Sequence, residues 1–234
     1  MMSFLQAAQQ ASALLISKKP ATFFSSTKPF EVEICALANE LIDDFVREKD
    51  WRRLTKLKTM TGDGVTQGFA MPDDYDHMPK GQQVHNQDWP TWNYYGASSL
   101  DEWLNYLNGE PQIIPGAWLI MDGQMQFMPI VQTGQVAQYY YISNQIVTDG
   151  FGGTRSTFSA DDQGMIYPER LLTLGLIWRW RALKRLEYAE DLQNYERFKD
   201  SIAADDKGSR ILMDGGKRNP WWDYGTPYPW ALGS

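Results

Sequence analysis

Apolar positions recur at helical spacing toward both ends of the chain and at strand spacing through its middle. Near the start, Phe4, Ala8, Ala11 and Leu15 fall on one stripe flanked by Leu5 and Ile16, which predicts a short amphipathic helix over residues 3–17. A segment rich in Ser, Thr and Phe, from Pro20 to Pro29, links it to a stronger helix over 29–50. There Ile34, Cys35, Ala38, Leu41, Ile42, Phe45 and Val46 share one face, with Glu33, Glu40, Asp43, Asp44 and Arg47 on the other. Trp51 stands just past that helix and is expected to plug the core at its end.

The period then shortens. Leu54–Met60 and Gly68–Met71 read as strands around the turn residues Gly62-Asp63-Gly64, and Pro72 stops the second. Residues 117–121 and 124–128 flank Asp122-Gly123, a pair that favours a type I′ hairpin turn because both positions accept positive φ. Residues 138–147 predict another strand, with turns at Phe151-Gly-Gly153 and Asp161–Gly164. One helical piece is expected near 100–107, and Trp89, Trp92, Tyr94 and Tyr95 fall in an irregular stretch. Helix resumes at Pro168-Glu169, where Leu172, Leu176, Trp180, Leu183 and Leu186 share a broad face. A second stretch at 189–206 carries Leu192, Tyr195, Phe198 and Ile202 among charges. From Gly215 the pattern collapses into a segment rich in Pro and aromatics, Asn219 to Trp230, which reads equally well as an extended arm that docks on a partner or as a tail folded back over its own domain.

Composition narrows the function classes. The 234 residues carry a net charge of -7 and no strongly basic segment, unlike a sequence-reading nucleic-acid binder. Ten Trp among 14% aromatics suggest large buried or interface surfaces. The single cysteine, Cys35, forms neither a disulfide framework nor a zinc cluster and reads as a small core residue. The N-terminus lacks a basic stretch followed by a long apolar one, so no secretory signal is expected. No run approaches the roughly 18 apolar residues of a membrane span, so no membrane partner is expected either.

Candidate chemistry is thin. His77 and His85, with Asp73, Asp74, Asp76 and Asp88 nearby, match no compact metal-ligand motif. Gly150–Gly153 lacks the Lys-Ser/Thr of a phosphate loop and reads as a turn. The three carboxylates at 73, 74 and 76 could form a sugar-hydrolysing pair, but a turn after a strand accounts for them as well. Arg170, Arg179, Arg181, Lys184 and Arg185 alternate with Trp178 and Trp180. This pattern suits either a nucleic-acid surface or a helix edge that pairs with carboxylates of its own or a neighbouring subunit, and the second fits Arg's bidentate chemistry better. No catalytic residue, metal or cofactor is expected.

Two stretches resemble the head-to-tail adaptor proteins of tailed bacteriophages, a class that includes tail tubular A-like and gene-transfer-agent adaptors. One runs from Trp51-Arg-Arg-Leu54 through Thr61-Gly-Asp-Gly64 to Met71-Pro-Asp-Asp-Tyr-Asp-His-Met78, with Met71 where the family often has Leu. The other runs from Tyr167-Pro-Glu-Arg-Leu-Leu172 through Trp178-Arg-Trp-Arg181 to Tyr195 and on to Arg210. The resemblance covers about 1–212 and implies an α+β subunit, a helical bundle with an inserted antiparallel β domain and an extended C-terminal arm. It implies a non-enzymatic virion protein of the neck, assembled in the host cytoplasm. Such proteins form a ring, typically of about twelve copies. The ring sits between the portal protein and a tail or nozzle protein. Double-stranded DNA passes through its lumen without sequence-specific binding, for genome retention and ejection.

On this reading, residues 1–53 and 166–214 form the bundle, 54–165 the β-rich insertion and 215–234 the arm. Trp221, Trp222, Tyr224, Tyr228 and Trp230 are the expected partner-binding residues of the arm, and Trp178, Arg179, Arg181 and Arg185 the expected subunit interface. Two rival readings remain open at this level. One is a tail-associated carbohydrate-binding protein using the aromatics around Trp89–Tyr95. The other is a glycosidase using Asp73, Asp74 and Asp76.

Overall fold

The computed structural model describes residues 3–89, 92–109, 116–150 and 152–207. Helices α1 (Phe4–Ile16) and α2 (Pro29–Glu48) open the chain. A 3-10 turn at Arg52–Leu54 leads into strands β1 (Thr55–Thr61), β2 (Gly68–Ala70), β3 (Tyr75–His77), β4 (Val84–Asn86) and β5 (Asn93–Gly96). Helix α3 (Leu100–Leu107) precedes β6 (Ala117–Met121), β7 (Gln124–Met128), β8 (Val136–Ser143), β9 (Val147–Thr148), β10 (Thr154–Arg155) and β11 (Gly164–Met165). Helices α4 (Glu169–Leu183) and α5 (Ala189–Asp206) follow. The class is α+β, as the sequence implies.

Helix α4 lies at the centre of the helical part and packs against α1, α2 and α5. It meets α2 at Gly175, where a Cβ would stand 2.4 Å from Leu41 Cδ2, so the contact needs the absent side chain. The start of α1 is fixed by the loop before β11: Phe4 N–H donates to Gln163 O at 2.6 Å and Leu5 N–H to Asp161 O at 3.0 Å. The Asp161 carboxylate also accepts from Phe23 N–H and Phe24 N–H. Phe4 packs against the rings of Phe23, Phe24 and Phe158, so the linker between the first two helices is itself core.

The larger sheet has eight strands in the order β1-β8-β4-β5-β6-β7-β2, with β3 also paired to β8. β8 is its spine, flanked along one edge by all of β1 and along the other by β3 and β4 in turn. Every pairing is antiparallel except β5 with β6, which run parallel. Parallel neighbours need a crossover, and α3 supplies it, burying Trp103 and Tyr106 against Ala117 of β6. A small sheet, β10-β9-β11, completes the fold. Its Val147 and Met165, with Ile142, Ile146 and Phe158, pack into the core of α1, α2, α4 and α5 rather than that of the large sheet.

Most predicted elements stand within two residues of their observed bounds. At the hairpin turn Asp122 has φ 51° and Gly123 φ 67°. Two differences have physical causes. The strand expected over 138–147 ends at Ser143, because Asn144 N–H donates to Asp74 O at 2.9 Å and turns the chain before β9. The stretch expected to be irregular contains β4 and β5, which earn their hydrogen bonds from each other and from β8, β4's long-range partner. α4 and α5 are separate helices, divided at Arg185 with φ 56°.

Trp51 does plug the core. Its ring stacks on Phe45 at 4.1 Å and its Nε1–H donates to Phe45 O at 2.7 Å. Trp51→Ala is expected to lower unfolding free energy by about 3–5 kcal/mol, through lost transfer energy and the cavity left behind. Urea denaturation checks this: the midpoint should fall while the slope stays that of the wild type.

Candidate interaction surfaces

The residues read as a subunit interface lie on α4 and the elbow after it, and α2 supplies partners for some of them. Arg179 has 11% of its side chain exposed and pairs with Glu40 at 3.1 Å and with Asp44. Its guanidinium also lies 5.1 Å from the Trp178 ring centroid. Trp178 is half-buried between the rings of Tyr188 and Tyr195. Arg181 pairs with Asp191 at the start of α5. Trp180 Nε1–H donates to Glu33 at 3.2 Å, and Lys184, which bonds Glu33 at 2.7 Å, also lies over the Trp180 ring. Arg185 is exposed in the elbow and makes no ion pair among the described residues. The arm residues Trp221, Trp222, Tyr224, Tyr228 and Trp230 lie outside the described residues.

The carboxylates at 73, 74 and 76 do not converge. Asp74 accepts from Lys56 Nζ at 2.6 Å, Ser143 Oγ at 2.7 Å and Tyr141 O–H at 2.8 Å. Asp76 bonds His77 Nδ1 at 2.6 Å, and Asp73 is exposed. His77 also meets Asp50 at 3.1 Å, whereas His85 lies on β4, opposite Gln138 of β8. Among the described residues no group of three or more His, Cys, Asp or Glu side chains could hold a metal ion. Cys35 lies half-buried against the helical core, and burial, with Asp161 and Glu31 nearby, pushes its thiol up to about 11. At such a value the thiol stays protonated and unreactive near neutral pH.

The aromatic stretch 89–95 is divided between core and surface. Trp89 packs on Tyr94 at 5.0 Å, and Tyr94 is buried with its hydroxyl 3.0 Å from Asn86 Nδ2. Trp92 and Tyr95 are exposed. A hollow of about 690 Å³ between α1 and α2 is lined by Lys18, Lys19, Lys28, Phe30 and Glu31 and lies open to solvent. No helix among the described residues is long and apolar enough to cross a membrane.

The geometry is that of a scaffold whose helices are tethered to one another by ion pairs. Comparison with protein families accords with this: the family model described as SU10 adaptor protein matches residues 2–218. The chain belongs to the SU10 adaptor protein family. This bears out the resemblance to phage head-to-tail adaptors carried by the two sequence stretches. No match was found among curated proteins.

Both stretches have structural work to do in the adaptor. Trp178-Arg-Trp-Arg181 fastens α4 to α2 and α5 through Arg179, Trp180 and Arg181. Pro72-Asp-Asp-Tyr75 places Asp74 where it ties β1, through Lys56, to β8, through Tyr141 and Ser143. Reasoning from sequence had no means of seeing these partners, because Arg179 and Asp44 stand 135 positions apart.

Burial alone would raise the Asp74 carboxyl, but the bonds from Lys56, Ser143 and Tyr141 outweigh it and hold the group below the usual carboxylate range. A group depressed in this way stabilises the fold above its unfolded pKa, about 3.9, and the contribution is lost as pH falls through the folded value. Asp74→Asn should therefore cost about 1–3 kcal/mol at pH 7. The gap between variant and wild type should close below about pH 4. Thermal unfolding followed from pH 7 to pH 3 checks this, and a gap that stays constant would contradict the assignment.

Proposed function

We propose that this adaptor forms a closed ring between the portal protein and a tail or nozzle protein in the phage neck, extending the channel through which double-stranded DNA passes. The observation that carries this reading is the match to the adaptor family across residues 2–218. The helical bundle is the rigid hub of each subunit, the inserted sheet is its outward platform, and the C-terminal residues 215–234 are the arm. A ring of about twelve copies needs two different, complementary faces on each subunit in a contact that closes. The surface around Trp178, Arg179, Arg181 and Arg185 contributes one of them.

Charge supports the channel role. Each copy carries a net -7, so a ring of them has little affinity for phosphates. DNA then slides through the lumen without sequence-specific binding. The protein has no catalytic role in this reading, and its place is the virion, after assembly in the host cytoplasm.

The arm is the anchor to portal or tail, through Trp221, Trp222, Tyr224, Tyr228 and Trp230. Large aromatics give docking area at small cost in rotamer entropy. Removing residues 215–234 should leave the helical circular-dichroism signal intact and abolish joining of purified portal to tails. Native mass measurement of portal mixed with the full and shortened chains reads this directly. Equal joining by both would remove the arm from the interface, and no binding of the full chain to portal would remove the function itself.

A further inference from the structure

Two apolar patches stand exposed among the described residues, and each frames a charge of opposite sign. The first is on α3. Its inner face buries Trp103 and Tyr106, but Leu100, Leu104 and Leu107 remain 60%, 52% and 42% exposed. Spacings of four and three residues place them in one stripe along the helix. Asp101 stands beside Leu100 and one turn before Leu104, exposed and without an ion pair among the described residues.

The second patch is the elbow between α4 and α5. Leu183, Leu186 and Tyr188 are 54%, 52% and 40% exposed. Arg185 N–H donates to Ala182 O and Leu186 N–H to Arg181 O, the two bonds of a left-handed helix stop. Glycine is the usual residue at that stop, because a side chain is strained there. Here Arg185 takes it, at φ 56°, and is held exposed between Leu183 and Leu186. A strained residue whose side chain makes no ion pair among the described residues is accounted for if it engages something outside its own subunit.

We infer that the elbow of one copy docks on the α3 stripe of the next, with Leu183, Leu186 and Tyr188 against Leu100, Leu104 and Leu107, and Arg185 paired with Asp101. The inference rests on the ring reading and supplies its second face. A contact between unlike patches is heterologous, the kind that propagates around a ring. The order apolar, charge, apolar is the same on both sides and the charges are opposite, so the fit is to a second copy of this chain. Partial cover of Arg185 and Asp101 by leucines strengthens their attraction relative to water.

The test uses the full chain in a Cys35→Ala background. Mixing differently tagged Leu104→Cys and Leu186→Cys populations under mild oxidation should give a disulfide between the two kinds of copy. Neither population should dimerise with itself. Arg185→Glu and Asp101→Arg should each weaken self-assembly at least about ten-fold by concentration-dependent light scattering, and the double variant should recover it. Arg185→Gly removes the backbone strain together with the charge, so its melting temperature should be unchanged or raised while assembly falls. If these variants assemble as the wild type does, or fail only in joining the tail, the contact is overturned while the ring stands. If the wild-type chain forms no ring, alone or on purified portal, the contact and the ring reading fall together.

Discussion

The stacking of Trp51 on Phe45 holds the helical part and the large sheet in one frame. The two rings lie 4.1 Å apart at the junction of α2 and β1, and Tyr167, just before α4, meets both at 5.1 Å. The Tyr167 hydroxyl reaches Asp206 at the end of α5, and burial, with that carboxylate nearby, pushes it up and keeps it protonated as the donor. Asp206 in turn accepts from the backbone N–H groups of Arg52 and Arg53, at the entrance to β1. The end of α2, the start of the sheet, the start of α4 and the end of α5 thus meet at one small cluster. A change there moves several elements together, because close-packed aromatic interiors transmit displacement rather than absorb it.

Charged tethers set the remaining helix positions, and they depend on that frame. Lys199 on α5 is buried yet bonded to Glu48 at the end of α2 and to Glu196, and those carboxylates outweigh the burial that would otherwise lower its pKa. Arg179 repeats the arrangement between α4 and α2. In each pair the cation is buried and the carboxylate partly exposed, so the pair adds little net stability, but losing the carboxylates leaves an uncompensated charge in a poor solvent for it. Their use is in fixing which helix faces meet. An adaptor subunit must present the same surfaces on every copy, and a ring closes only if each copy turns the next by the same angle.

The sequence was most legible where a period or a turn forces the answer locally. The apolar face from Ile34 to Val46 and the run from Leu171 to Ile177 could be read at helical spacing, and Asp122-Gly123 admits a tight hairpin because both residues accept positive φ. Strands β3, β4 and β5 could not be read. Each has three or four residues, His85 and Asn93 break the apolar alternation, and their partners on β8 and β6 are far along the chain. The interface residues on α4 divide for the same reason. Spacing shows that Arg179, Arg181 and Arg185 edge an apolar helix, but only the fold shows that carboxylates of the same chain meet Arg179 and Arg181, while Arg185 makes no ion pair among the described residues. The family resemblance was visible because its residues stand at the junctions, Trp51, Asp74 and Trp178 to Arg181, where geometry tolerates little change.

The proposed contact, a three-leucine stripe and one ion pair, is modest, and modest contacts suit a ring. Each copy in a closed ring is held on two sides, so the last contact forms within an existing assembly at a high effective concentration. Patches of this size also limit non-specific association, whereas a larger apolar surface would draw copies into open aggregates before they met a partner. In the proposed contact, opposite charge at Arg185 and Asp101 would add direction, because elbow against elbow or α3 against α3 would set like charges face to face. The strain at Arg185 fits the same logic: glycine would ease the helix stop, but it would leave the elbow with no charge to choose its neighbour.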